Sequence, residues 1–359
     1  MAQPDKEVCK RGGSPVNAQA LIWQIESEML DHLAGLLARG SIGSSEWQVR
    51  NLQSLGLLNQ VNAETIKKYR PQVIEAVSAE IKKLSAERLS MVDAASDMAG
   101  VVTKFPDKRI AAIVTRWESE VAIKLETVYA NMLRATGERY VQAVQEATAK
   151  AALGQSGRKA VAEIVGKWAE FGLPGFKDAA GREWTPEAYA SALVRSSSTQ
   201  AATATQFARM EELGEDLVEV SSHLGARPKC APYQGRIFSL SGKSTQYPAL
   251  SDTSYGDPGG LLGVNCRHVL YPYFPGTEKT FNPYPEERNE TAYKNSQHQR
   301  AIERGIRKAK RELDLAQKIG DQASIQAAKS KVSERQKMMR GFIDDTGRRR
   351  DYDREQIRG

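Results

Sequence analysis

The apolar residues of the first 150 positions recur at intervals of three and four, and helices are the elements that can bury such a stripe on one face. Ile22, Ile25, Met29, Leu33, Leu36 and Leu37 form the first stripe, with Asn17 as its N-cap and Gly40 past its end. Trp47 to Leu55 fits a second helix, and Val73, Val77, Ile81 and Leu84 fit a third. A longer fourth runs through Ile110, Val114, Trp117, Val121, Leu125, Val128 and Met132. Pro71 and Pro106 fall at expected helix starts or breaks, and Gly137 is expected to split the fourth segment in two. None of these stripes carries a chemical motif, so they read as packing faces.

Beyond position 150 the pattern changes. Gly154, Gly157 and the run Gly172-Leu173-Pro174-Gly175 mark loops, and Thr185-Pro186-Glu187 is a strong helix start. Asp216 to Ser221 and Arg236 to Leu240 alternate apolar and polar residues as half-buried strands do. Helical spacing returns near Tyr293, Gly320-Asp321 reads as a turn between two antiparallel helices, and Gly341 is expected to end the second. The expected fold class is α+β, predominantly α. A flexible leader occupies 1–16, a helical domain 17–150, a loop-rich α+β module with a candidate metal site 155–285, and a basic helical hairpin with a charged tail 286–359.

Composition narrows the function classes. With 26% charged and 40% apolar residues the chain is ordinary for a globular protein, and no apolar run approaches the roughly 18 residues of a membrane span. The first 20 residues are too polar for a secretory signal, so synthesis in a cytoplasm is expected. Three cysteines give no disulfide framework, which points to reduced thiols or metal ligands. The net charge of +7 is uneven: residues 286–359 hold 19 Lys/Arg against 13 Asp/Glu, a basic segment suited to an acidic partner.

His223, Cys230, Cys266 and His268, four of the seven cysteines and histidines, fall within 46 positions. Two thiols and two imidazoles suit tetrahedral zinc, and four protein ligands would close the site to catalysis, making the metal structural. The spacing is not that of a zinc finger. The alternative is that the histidines are hydrogen-bonded and the thiols are small buried hydrophobes. A catalytic version would use Arg227, beside Pro228, and Arg267 as anion-binding residues with the two histidines as acid and base. Arg300, Arg304, Arg307, Lys308 and Arg311 lie at offsets of zero, four, seven, eight and eleven, a basic stripe that is either a solvated helix face or a sequence-nonspecific phosphate contact.

The order His223-Leu-Gly-Ala-Arg227-Pro228, Gln234-Gly235, Tyr255-Gly256, Gly260 through Gly263, Asn265, Cys266, Arg267 and His268, then Pro275-Gly276, Gln299-Arg300, Glu303-Arg304 and Ile306-Arg307 resembles the phage minor capsid protein 2 group, related to Mu F-type head morphogenesis proteins. The likeness is densest from Gly181 to Arg311. Cys230-Ala231 stands where His-Ala is expected, and Pro232-Tyr233 replaces a more usual aromatic step; a His/Cys exchange suits a zinc ligand better than a general base. The resemblance implies a low-copy head component of a tailed phage, associated with the portal protein or the major capsid protein and acting in head morphogenesis, DNA packaging or ejection. It implies the virion as location, with assembly in the host cytoplasm, and packaged DNA as a nonspecific contact. The enzyme-class alternative is a nuclease-like or toxin-like domain centred on His223, Arg227 and His268, and a weaker one is a DNA-binding accessory protein.

Overall fold

The computed structural model describes residues 18–101, 107–171, 176–177, 181 and 183–357. The expected leader at 1–16, the Asn17 cap, Pro106 and the loop at 172–175 lie outside the described residues. Among the described residues are eight α-helices, one two-stranded sheet and one three-stranded sheet, so the chain is α+β and predominantly α.

Helix α1 (Ala18–Leu37) turns most of its expected stripe inward: Ile22, Ile25, Met29, Leu33 and Leu37 have no exposed surface, and Leu36 is partly buried. It packs on α3, α6 and α7. Helix α2 (Ser45–Gln53) starts where Ser44 Oγ accepts from Trp47 N at 3.1 Å.

Helices α3 (Leu55–Met98) and α4 (Lys108–Ala152) form an antiparallel pair, tied by Arg70 to Glu126 at 2.7 Å and Lys82 to Glu118 at 3.1 Å. Two expected breaks are absent. Pro71 lies on the solvent face inside α3, between buried Ile66 and Val73. Proline in a helix interior costs about 3 kcal/mol, but each buried Val or Ile returns about 1.5–3 kcal/mol, so packing outweighs the lost backbone bond. Gly137 lies inside continuous α4, where an added Cβ would stand 3.3 Å from Asn59 Oδ1 on α3. It marks a close helix approach rather than a break.

Helix α5 (Gly157–Phe171) follows, then the hairpin of β1 (Phe176–Lys177) and β2 (Glu183–Trp184). Helix α6 (Pro186–Leu213) begins as expected, with Thr185 Oγ1 accepting from Ala188 N at 3.1 Å and Pro186 in the first turn. The second sheet has β3 (Leu217–Val220) between β4 (Ile237–Ser239) and β5 (Leu270–Pro272), both antiparallel to it. Val218 lies opposite both Phe238 and Pro272, and Val220 opposite Leu270. The two strands expected from alternation are β3 and β4; β5 was not expected.

Helices α7 (Glu286–Ile319) and α8 (Gln322–Thr346) form the expected hairpin. Gly320 adopts φ +79° at the turn, and Asp321 Oδ2 caps α8 by accepting from Ser324 N at 3.0 Å. Helix α8 does not end at Gly341 but continues to Thr346. Phe342, in the extra turn, is buried with Ile302, Ile306 and Met339, which holds that turn helical against the weak propensity of one glycine.

Leu33 and Leu37 of α1, Tyr140 of α4, Trp168 of α5 and Leu315 and Ile319 of α7 share one apolar cluster. A second joins α1, α3, α4 and α6 through Ile25, Val77, Leu125 and Val194. The three-stranded sheet has its own cluster of Val218, Val220, Cys230, Phe238 and Leu270, which Val92 of α3 and Met210 of α6 complete. The sheet is thereby seated on the long helices, and α7 runs from the sheet module back into the helical core.

Candidate metal centre

The centre is built at the exit of β3 and the entrance of β5. Paired antiparallel backbone extends beyond the strands, with Ser221 N donating to Val269 O at 2.9 Å and Val269 N to Ser221 Oγ at 2.9 Å. This brings His223 beside His268, with ring centroids 4.4 Å apart and planes tilted by 33°. Buried Gln234 fixes the approach, its Oε1 accepting from His223 N at 2.6 Å.

Gly225 then turns the chain in the left-handed region, at φ +81°. Asn289 of α7 clamps this turn: Oδ1 accepts from Gly225 N and Ala226 N, and Nδ2 donates to Ala226 O, all at 2.9 Å. Arg227 Nη2 donates to Val264 O at 2.9 Å, tying the Arg-Pro segment to the loop that carries Cys266. Pro228 leads into the turn that buries Cys230. On the other side, Gly263 O accepts from Cys266 N at 2.9 Å, and Asn265 takes φ +60°. A Cβ on Gly263 would meet Asp257 O at 2.5 Å, and one on Gly235 would meet Phe281 O at 2.6 Å, so both motif glycines are required sterically.

The ligand atoms of Cys230, Cys266 and His268 lie within 4.8 Å of one another, and Cys266 Sγ is 3.3 Å from His268 Nδ1. Three of the four residues expected to bind metal are therefore gathered, while His223 stacks beside them outside that group. Two soft sulfur donors and one imidazole fit zinc. His223 Nε2 and His268 Nε2 are buried without a hydrogen-bond partner among the described residues, which is compatible with a role for an imidazole as a metal ligand.

Electrostatics agree with a thiolate centre. A hydrogen bond from Cys230 pulls the Cys266 thiol far below its ordinary range, with His268 acting in the same direction, and the same coupling pushes Cys230 up. Burial, with repulsion from His268, pushes His223 down to about 4, so its ring is neutral. Beside the cluster opens a cavity of about 300 Å³ between the module, α7 and the tail after α8.

The basic stripe is divided by packing. Arg300 faces the cavity, and Arg304 and Lys308 are exposed. Arg307 lies 5.3 Å and Arg311 5.6 Å from the Trp23 ring of α1, and Arg307 Nη1 also donates to Arg354 O at 2.8 Å. Two of the five stripe residues thus belong to a packing surface, because the helix face that bears them also meets α1. The roles of Asn289 and Arg348 carried no sequence signal: Asn289 reaches back 64 positions to Gly225, and Arg348 belonged to an undifferentiated charged tail.

Residues 14–344 match the family model described as phage minor capsid protein 2. The chain belongs to the phage minor capsid protein 2 family. The matched span takes in the Cys230, Cys266 and His268 cluster, the cavity wall formed by α7 and almost all of the hairpin. A "Structural protein" of Lactococcus phage LL-H is 27% identical over 332 residues, covering 86% of this chain and 88% of the relative. A "Structural protein" of Lactococcus phage mv4 is 35% identical over 116 residues, 31% of this chain and 93% of the relative. No solved structure matches. Among the described residues no helix is long and apolar enough to cross a membrane.

Proposed function

We propose that this protein is a non-enzymatic, low-copy structural component of the head of a tailed double-stranded DNA phage, seated at the portal vertex and acting in head morphogenesis and in DNA packaging and ejection. The observation that carries the reading is the extent of the family match, which runs from residue 14 to residue 344 and spans helical body, module and hairpin together. In this reading the virion is its location and the host cytoplasm its place of assembly, with the portal or major capsid subunit as partner and packaged DNA as a nonspecific contact.

Zinc is the structural metal of the module in this account, held by Cys230, Cys266 and His268. The sheet has strands of only three and four residues, and a metal that ties the exit of β3 to the entrance of β5 would supply stability that so small a core lacks. Two of the groups a phosphodiester-cleaving site would use have other contacts: Arg227 donates to Val264 O, and His268 Nδ1 faces Cys266 Sγ. Chemical cross-linking of intact proheads tests the placement. Cross-links from this chain to the portal subunit are expected, whereas links confined to scaffolding or tail subunits would contradict it.

A further inference from the structure

The cavity beside the metal centre has an unusual charge balance. Arg267 from the module, Arg300 from α7 and Arg348 from the tail converge on it from three separate stretches of chain. No Asp or Glu is among its lining residues. Guanidinium groups gathered in a partly enclosed site repel one another, the Cys266 thiolate on the same wall offsets part of that charge, and a bound anion would relieve more of it.

The arrangement is built rather than incidental. Buried Gln299 accepts from Arg348 Nε at 2.7 Å and donates to Arg349 O at 2.9 Å, so it aims the Arg348 side chain. Arg300 feels the carboxylate of Glu303, which itself lies 3.7 Å from Arg354 Nη1. The pKa of Arg300 is pushed down to about 10 by burial and then by the charge of Arg267.

We propose that this cavity binds a phosphate monoester, the phosphate of a nucleotide or of a nucleic-acid 5′ end. Guanidinium forks suit a tetrahedral anion with three peripheral oxygens, whereas a single carboxylate engages one fork. The volume of about 300 Å³ exceeds the need of one phosphate and reaches the lower end of small-ligand sites. Tyr293 and Leu224 provide a neutral wall for the attached nucleoside. The inference needs no placement at the portal vertex, and a failure of either reading leaves the other standing.

Calorimetric titration of the full-length protein with thymidine 5′-monophosphate, thymidine, and 5′-phosphorylated or unphosphorylated oligothymidylate tests it. The phosphorylated compounds are expected to bind saturably at one per chain, and inorganic phosphate to compete; the unphosphorylated compounds should not bind. Tighter binding of the phosphorylated strand than of the mononucleotide identifies a strand end as the ligand, and equal binding identifies the nucleotide. Arg300→Met and Arg348→Met should each weaken binding by about tenfold or more, the scale of one lost charge-assisted contact. Because Arg300 meets like charge, Arg300→Met should leave the thermal midpoint of the free protein unchanged or raised, which separates lost binding from misfolding. Absence of saturable phosphate binding up to about 10 mM, well above a millimolar Kd, would overturn the proposal. So would unchanged binding by both variants, or binding of polyglutamate alone.

Discussion

Cys266 Sγ lies 3.3 Å from His268 Nδ1, although only Arg267 separates the two residues in sequence. Residues two apart in extended chain share a face, and this pair is turned toward Cys230, which arrives from a loop on the opposite side of β3. A metal held by these three residues would staple the two sides of a very short sheet. Purified protein is expected to hold about one zinc per chain by atomic emission. Cys230→Ala, Cys266→Ala and His268→Ala should each lose it, while His223→Ala, outside the ligand group, should keep it. Zinc at a hundred times its Kd should add about 2.7 kcal/mol to the unfolding free energy.

The two thiols should differ in reactivity. In metal-free, reduced protein, peptide mapping after alkylation should find Cys266 modified with a rate that changes less than about twofold between pH 8 and pH 6. An ordinary thiol slows by roughly fiftyfold or more over that range, because its thiolate fraction collapses. Cys230, 1% exposed and with its pKa raised, should react only on unfolding. Added zinc should protect Cys266.

His223 should make the metal-free protein acid-sensitive. Its ordinary value of 6.5 falls to about 4 in the fold, chiefly through burial. The unfolded chain takes up a proton first as pH falls, so stability is fully present above pH 6.5 and declines down to about pH 4, by up to about 3 kcal/mol. Denaturant unfolding at pH 7.5, 6, 5 and 4 measures the slope. His223→Gln should remove that increment, and an unchanged slope would assign it elsewhere.

Asn289 is the clamp between α7 and the Gly225-Ala226 turn. Asn289→Ala deletes three hydrogen bonds to the backbone of Gly225 and Ala226. A loss of about 2–3 kcal/mol is expected by chemical denaturation. Asn289→Asp keeps the two accepted bonds and should cost less.

The helical spacing of α1 and α4 was legible because a stripe repeating every three or four residues has one simple solution. Pro71, Gly137 and Gly341 were misread for a common reason: their local cost is smaller than the burial available to the residues around them. Strand β5, three residues ending in Pro272, was too short to show alternation. The candidate metal centre was legible because Cys and His are rare here and gathered in sequence, yet its partition into three candidate ligands and one stacked ring depended on the pairing of β3 with β5. The spacing of the Arg300–Arg311 stripe told which side chains share a helix face, not that Trp23 would cover part of it. Arg348 and Asn289 reach the site across folded distance alone.

The most direct measurement is quantitative mass spectrometry of purified, DNA-filled phage particles, counting this chain against the portal and major capsid subunits. A low, fixed ratio to the major capsid subunit, matched in proheads and mature heads, is the expected result. Absence of the chain from both proheads and mature particles would contradict the account.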